Sequence, residues 1–213
     1  MKFRLLILGI FISLATTAQM KQSPFVFGPK IGLQANKLYI PDKPAAVDPK
    51  LNIQYQAGVF GRLNFGQKFS IQPEATFQIL GGVLKTPSEK HTFHYLSTPI
   101  MVQASPFKGF FLEAGPMFSW ALNQGYKKPG ITQFGPDQAT DVAAVLGARI
   151  DLLDAFSMFS VNLRFVRGFN NVSTRTYNTS TLELQNRSFQ LGITYNFSEY
   201  YKWWRKYGDK KKK

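Results

Sequence analysis

His91 and His94 are the only histidines in the chain, and they stand three apart beside Ser88 and Glu89. Two imidazoles at short spacing can begin a zinc site. Such a site needs three or four ligands, however, and Glu89 alone stands near enough in sequence to help. The same stretch offers the one pairing suited to acyl transfer, Ser88 as nucleophile with His91 or His94 as base, but no carboxylate is placed to orient the base. Gly58-Val59-Phe60-Gly61 and Gly81-Gly82 do not form a phosphate-binding pattern and read as strand or turn glycines. Asn171, Asn178 and Asn186 begin Asn-X-Ser matches that carry no weight here. The expectation is no catalytic residue, no metal and no cofactor, with a hydrolase as the remote alternative.

A second group of residues is more coherent. Lys30, Arg62, Glu74, Glu113, Arg149 and Arg164 all share parity with the polar residues of alternating segments, so they gather on one face. In the segment from Ile53, the residues Ile53, Tyr55, Ala57, Val59, Leu63 and Phe65 lie opposite Gln54, Gln56, Arg62 and Asn64. From Phe69, Ile71, Ala75, Phe77 and Ile79 the opposite face holds Ser70, Gln72, Glu74, Thr76 and Gln78. A period of two over about ten residues is a strand signal, and it recurs eight times: 27–37, 53–65, 69–80, 93–105, 110–123, 141–152, 157–169 and 187–197. The connections alternate, tight at 66–68, 106–109 and 153–156 and long at 38–52, 81–92, 124–140 and 170–186. Tight turns on one rim and long loops on the other describe an eight-stranded antiparallel up-and-down transmembrane barrel, its turns periplasmic and its loops extracellular.

A soluble lipocalin-like barrel also has eight strands. Against it stand an apolar face on every strand and a girdle of aromatics at the short-turn rim, namely Phe27, Phe65, Phe69, Phe107, Phe110, Phe111, Phe156, Phe159 and Phe197. Pro73, Pro99 and Pro116 fall inside strands and are read as bulges, because proline removes a ladder donor. If the polar face is the lumen, its six charges form an ion-pair network that plugs a narrow interior. The pairings expected are Glu113 with Arg149 on the neighbouring strand and Arg62 with Glu74 across the 66–68 turn.

The ends of the chain fit export. Lys2 and Arg4, then the apolar run Leu5–Leu14, then Thr16-Thr17-Ala18 read as a signal peptide over 1–18, with the barrel domain over 19–197. That run is too short for a membrane helix, and no cysteine is present, so disulfides play no part. Without the signal the balance is 24 basic against 12 acidic residues, or +12. With an export signal, this charge points to anionic lipid and lipopolysaccharide and away from nucleic acid. Lys43, Lys50, Lys127, Lys128 and Arg175 in the loops are candidates to meet lipopolysaccharide phosphates. The segment 198–213 carries net +5 and places Tyr200, Trp203, Trp204 and Tyr207 at i, i+3, i+4 and i+7, the spacing of a short helix lying at the periplasmic membrane interface.

Five short segments carry a family resemblance: 28–33 (GPKIGL), 69–74 (FSIQPE), 95–99 (YLSTP), 111–116 (FLEAGP) and 189–197 (FQLGITYNF). In this order they resemble the PorT-like outer-membrane β-barrel proteins across the mature sequence. The resemblance implies an eight-stranded outer-membrane barrel, barrel-assembly machinery as a partner during biogenesis, with Phe197 the kind of residue it recognises, and subunits of a protein-secretion apparatus as possible partners. The function expected is a non-porin barrel with a structural or surface-binding role through its loops, with a secretion-accessory role or, more remotely, an outer-membrane hydrolase as alternatives.

Overall fold

The computed structural model describes residues 23–41, 44, 47–66, 68–85, 88–125, 133–152, 158–177 and 180–197. The segments read as signal peptide and basic aromatic tail, with Tyr200, Trp203, Trp204 and Tyr207, lie outside them, as do Phe156, Lys43, Lys127 and Lys128.

Eight long strands run β1 Phe25–Tyr39, β3 Asn52–Phe65, β4 Phe69–Leu84, β5 Glu89–Phe107, β6 Phe110–Ala121, β8 Thr140–Asp151, β9 Phe159–Gly168 and β11 Ser180–Tyr195, and three short ones, β2 Pro49–Lys50, β7 Gln133–Phe134 and β10 Ser173–Tyr177, attach at one end. Each long strand pairs antiparallel with the next, and β11 returns to pair with β1 from Lys30↔Thr194 to Tyr39↔Gln185. The eight long strands therefore close on themselves, and none of the eight is an edge.

The alternation of residue types sets the alternation of faces, and the faces are inverted relative to a soluble barrel. Ile53 is 66% exposed and Leu33 59%, while Gln56 and Gln34 are buried at 3% and 1%. At the turn end Phe25 stacks on Phe27, Phe27 lies 5.5 Å from Phe197, and Phe107 stacks on Phe110 at 4.8 Å, forming an aromatic rim. Gly66 and Gly109 take positive φ there, as tight hairpin turns require. Phe111 is not part of this rim. It is 5% exposed and points into the lumen, because its parity is that of Glu113.

Two further expectations change. Register runs unbroken past Pro73, Pro99 and Pro116, and the shift in this part of the sheet falls instead between Ala104 and Phe107. The prolines thus cost single ladder bonds without inserting a residue. Strand extends into three of the supposed long loops and makes up most of 81–92 and 170–186. β1 continues to Tyr39, β4 and β5 continue to Leu84 and from Glu89 around the turn at 85–88, and β10 pairs with β11 across 178–179.

Candidate functional site

The inward positions of all eight strands fill the lumen in layers. Near the turn end Arg164 of β9 is the hub. Its Nη1 and Nη2 donate to Glu74 Oε2 and Oε1 at 2.9 and 2.7 Å, a bidentate fork, and its Nε and Nη2 donate to Glu113 at 2.6 and 3.1 Å. Lys30 Nζ adds a bond to Glu74 at 2.8 Å. Gln72 and Gln103 donate to the same two carboxylates at 2.6 and 3.0 Å, so both carboxylates are saturated by donors. All four charged side chains are almost wholly buried. Charges so far from water persist only when paired and hydrogen-bonded, and here two positive and two negative groups balance.

The geometry depends on a residue with no side chain. Glu113 stands opposite Gly147 of β8, and Gly147 stands opposite Arg164 of β9. A Cβ on Gly147 would come within 2.9 Å of Arg164 Cγ and 2.4 Å of the Leu163 carbonyl oxygen. Glycine at this position lets Arg164 reach across β8 to Glu113.

The pairings expected from sequence are therefore corrected. Arg149 stands opposite Phe111 and lays its guanidinium 3.8 Å from the centre of that ring, while its charge is met by Asp151, which also accepts a bond from Ser160. Arg62 Nε donates to Gln72 Oε1 at 2.7 Å and not to Glu74, whose oxygens Arg164, Lys30 and Gln72 occupy. The sequence reading missed Asp151, Gln34 and Gln103, although their parity marks them as inward, and it placed Gln72 on the inward face without assigning it to the charge network.

Above this layer lies one of amides and hydroxyls. Gln190 Nε2 donates to Gln34 and Gln78 at 3.2 and 3.1 Å, Gln78 donates to Ser97 at 2.6 Å, and Ser97 donates to Ser119 at 2.8 Å. Beside it Met101, Met117, Ala143, Val145 and Val166 form an apolar wall. The loop end is closed by a second apolar cluster of Leu38, Ile40, Val47, Leu80, Leu84, Phe93, Tyr95, Val172, Leu182 and Leu184. These residues come from the continued strands and from the loops folded over the mouth, and all of them are buried. From turn end to loop end the lumen is filled first by charge, then by amide, then by hydrocarbon.

The two histidines part company. On a strand, residues three apart face opposite ways. His91 points inward at 0% exposure, stacks on Phe134 at 5.6 Å and lies 3.2 Å from Glu89 Oε2, whereas His94 faces out beside Phe77. They share no ligand position, and among the described residues no group of three or more acidic or imidazole side chains converges on one point. Among the described residues no hydrogen bond joins exposed Ser88 to either ring. His91 lies above the apolar outer band, whose uppermost exposed member on β5 is Leu96, and burial together with the nearby Arg175 lowers its pKa to about 4. It is therefore a neutral ring on which the segment 133–138 docks. Arg175 lies 4.3 Å from the other ring of that stack, Phe134, and 3.5 Å from Asp137, which also accepts from Ser173 and the Thr174 amide.

The family model described as the outer membrane protein beta-barrel domain matches residues 17–174. No curated protein sequence matches the chain. Among solved structures, the chain is similar to Ail, the attachment invasion locus protein of Yersinia pestis, in complex with the heparin analogue sucrose octasulfate, at 11% identity and a TM-score of 0.48 over 82% of this chain and 99% of that one. It is also similar to Neisserial surface protein A (7% identity, TM-score 0.45, 81% of this chain and 97% of that one) and to OprG from Pseudomonas aeruginosa (12% identity, TM-score 0.46, 81% and 94%).

Proposed function

Because the chain belongs to the outer membrane protein beta-barrel domain family, and so is an outer-membrane protein, we propose that it is a closed, non-porin barrel with a structural or surface-binding role at its extracellular end. The observation that carries this reading is the filled lumen. Arg164, Glu74, Glu113 and Lys30 occupy its width, and the apolar cluster around Phe93 and Leu184 covers its mouth. A barrel of eight strands leaves an interior just wide enough for side chains, so this filling leaves no path for a solute. The proposal includes no catalytic step. Of the two bases a Ser88 nucleophile could use, His91 is enclosed between Phe134 and Phe93, and His94 lies on the outer face against Phe77. Proteoliposomes carrying the protein are expected to swell no faster in isosmotic sugar than empty ones, and rapid swelling would refute the closed reading.

The five segments resembling PorT-like barrels favour a second reading, an accessory role in a protein-secretion apparatus. Gentle extraction from native outer membrane followed by mass spectrometry separates the two. Stoichiometric apparatus subunits support the accessory role, and their absence supports the stand-alone barrel.

A further inference from the structure

The outer wall carries a feature unrelated to the lumen. Lys37 of β1 stands directly opposite Arg187 of β11, and Arg187 directly opposite Arg167 of β9. All three have outward parity, so three cations form one row across three adjacent strands. Directly opposed side chains on one face sit roughly 5 Å apart at Cβ, and like charges there oppose strand pairing. No carboxylate relieves them in the neighbouring outward positions. Tyr39 and Gln185 follow toward the loop end and Ala144 stands beside Arg167, while the next outward acid on these strands, Glu183, is four residues beyond Arg187. Among the described residues none of the three forms a salt bridge. The central guanidinium carbon lies over the Tyr39 ring, 3.4 Å from its centre, and its Nε is buried without a hydrogen-bond partner.

The surface below the row is the opposite in character. The next outward tier is Ala35, Phe189 and Phe165, whose two rings lie 4.9 Å apart, and the one after it is Leu33, Leu191 and Leu163, each more than half exposed. From Phe27 in the aromatic rim to Lys37 the strand climbs roughly 33 Å, or about 25 Å along the barrel axis at a tilt of roughly 40°, which is the height of the apolar band of such barrels. The cations thus sit where hydrocarbon gives way to headgroups in the outer leaflet.

We propose that Lys37, Arg167 and Arg187 form a binding site for the phosphate group of an outer-leaflet phosphorylated glycolipid, whose acyl chains lie over Phe165, Phe189 and the leucine tier beneath. Two guanidinium forks offer the bidentate donors that a phosphate accepts, and Tyr39 fixes the central fork in place. The anion's charge of about −1.5 to −2 offsets most of the repulsion among the three opposed cations. A free phosphate would use the cations but not the apolar tiers, so the lipid is the occupant that the whole surface fits. This site is on the membrane-facing wall and does not depend on the role of the extracellular cap.

The test uses the full-length protein in detergent micelles, with native mass spectrometry reading retention of bis-phosphorylated lipid A, of dephosphorylated lipid A, and of bis-phosphorylated lipid A in the presence of millimolar inorganic phosphate. The wild-type barrel is expected to retain the phosphorylated lipid at least about tenfold better than the dephosphorylated one, the scale of one charge-assisted hydrogen bond. The variant K37Q/R167Q/R187Q should lose that preference, while Lys68→Gln, at an exposed cation in the tight turn at the opposite rim, should keep it. Arg167→Gln alone, at an exposed position, should weaken retention several-fold and guards against misfolding of the triple variant, with the heat-dependent electrophoretic shift of the barrel confirming the fold. Equal retention of the two lipids, undiminished retention by the variants, or displacement of the lipid by inorganic phosphate would overturn the proposal, the last by showing a free-anion site.

Discussion

Arg164 and Glu113 lie on strands that are not neighbours, yet they bond at 2.6 Å across the intervening β8, at the point where β8 carries Gly147. The lumen is narrow enough for a guanidinium on one strand to hold carboxylates from two others, since Arg164 also forks onto Glu74 of β4. One residue therefore ties three separated parts of the wall together.

Replacing that hub should be costly. Arg164→Met leaves Glu74 and Glu113 buried with Lys30 as the one remaining cation bonded to either, and breaking a buried ion pair from one side costs about 3–5 kcal/mol. Urea titration of folded protein in lipid vesicles, followed by the electrophoretic shift, measures it. A loss below about 1 kcal/mol, the scale of an exposed salt bridge, would show that the cluster does not hold the wall together.

The extracellular cap should be separable from the barrel body. Leu184→Ala removes a fully buried side chain from the apolar cluster and should cost about 2–5 kcal/mol, most of it expressed as local opening of the β10–β11 hairpin. Trypsin added to intact proteoliposomes is then expected to cut after Arg175, which in the wild type is held against Phe134 and Asp137. Equal resistance of variant and wild type would mean that the cluster does not secure the hairpin.

Acid should loosen the same region. The folded pKa of His91 is lowered by burial to about 4 from the ordinary 6.5, so between those values the unfolded ring binds more protons than the folded one. Its contribution to stability is complete above about pH 6.5 and is lost as pH falls toward and through about 4, at most roughly 3 kcal/mol in all. Hydrogen exchange, corrected for the intrinsic rate, should show falling protection of the Asp137 amide, which donates to the Val172 carbonyl, between pH 7 and pH 4.5 in the wild type and much less in His91→Phe. An identical pH response in the two proteins would assign the effect to other groups.

Topology can be read with single cysteines, because the chain has none of its own. Lys85→Cys, in the exposed turn between β4 and β5, should react with an impermeant maleimide on intact cells, and Lys108→Cys, in the opposite turn, only after permeabilisation. The reverse pattern would invert the barrel and remove the outer-leaflet position of Lys37, Arg167 and Arg187.

The eight-stranded wall was legible in the sequence because lipid outside and a polar lumen inside force a strict alternation, as in Ile53 to Phe65 and Phe69 to Gln78. The cap was not, for a physical reason. Beyond the lipid band water lies outside, so the phase of the alternation reverses. In β11 Leu182 and Leu184 are buried inward and Thr181 and Glu183 are exposed, whereas farther down the same strand Gln190 is inward and Leu191 outward. A pattern search that holds the apolar face constant ends each strand at that reversal and reports a loop. The lumen residues were legible by parity, but not their partners. Neighbouring strands were the natural guess for Glu113 and Arg149, and only the closed barrel, with Gly147 clearing the way, brings Arg164 within reach.

The closed lumen is tested most directly by single-channel recording in a planar bilayer. Purified full-length protein at neutral pH in molar salt should give no steady current at 100 mV, because the charge cluster about Arg164 and the apolar cluster about Phe93 fill the interior in series. Stable, stepwise conductance in the porin range from correctly folded protein would contradict it.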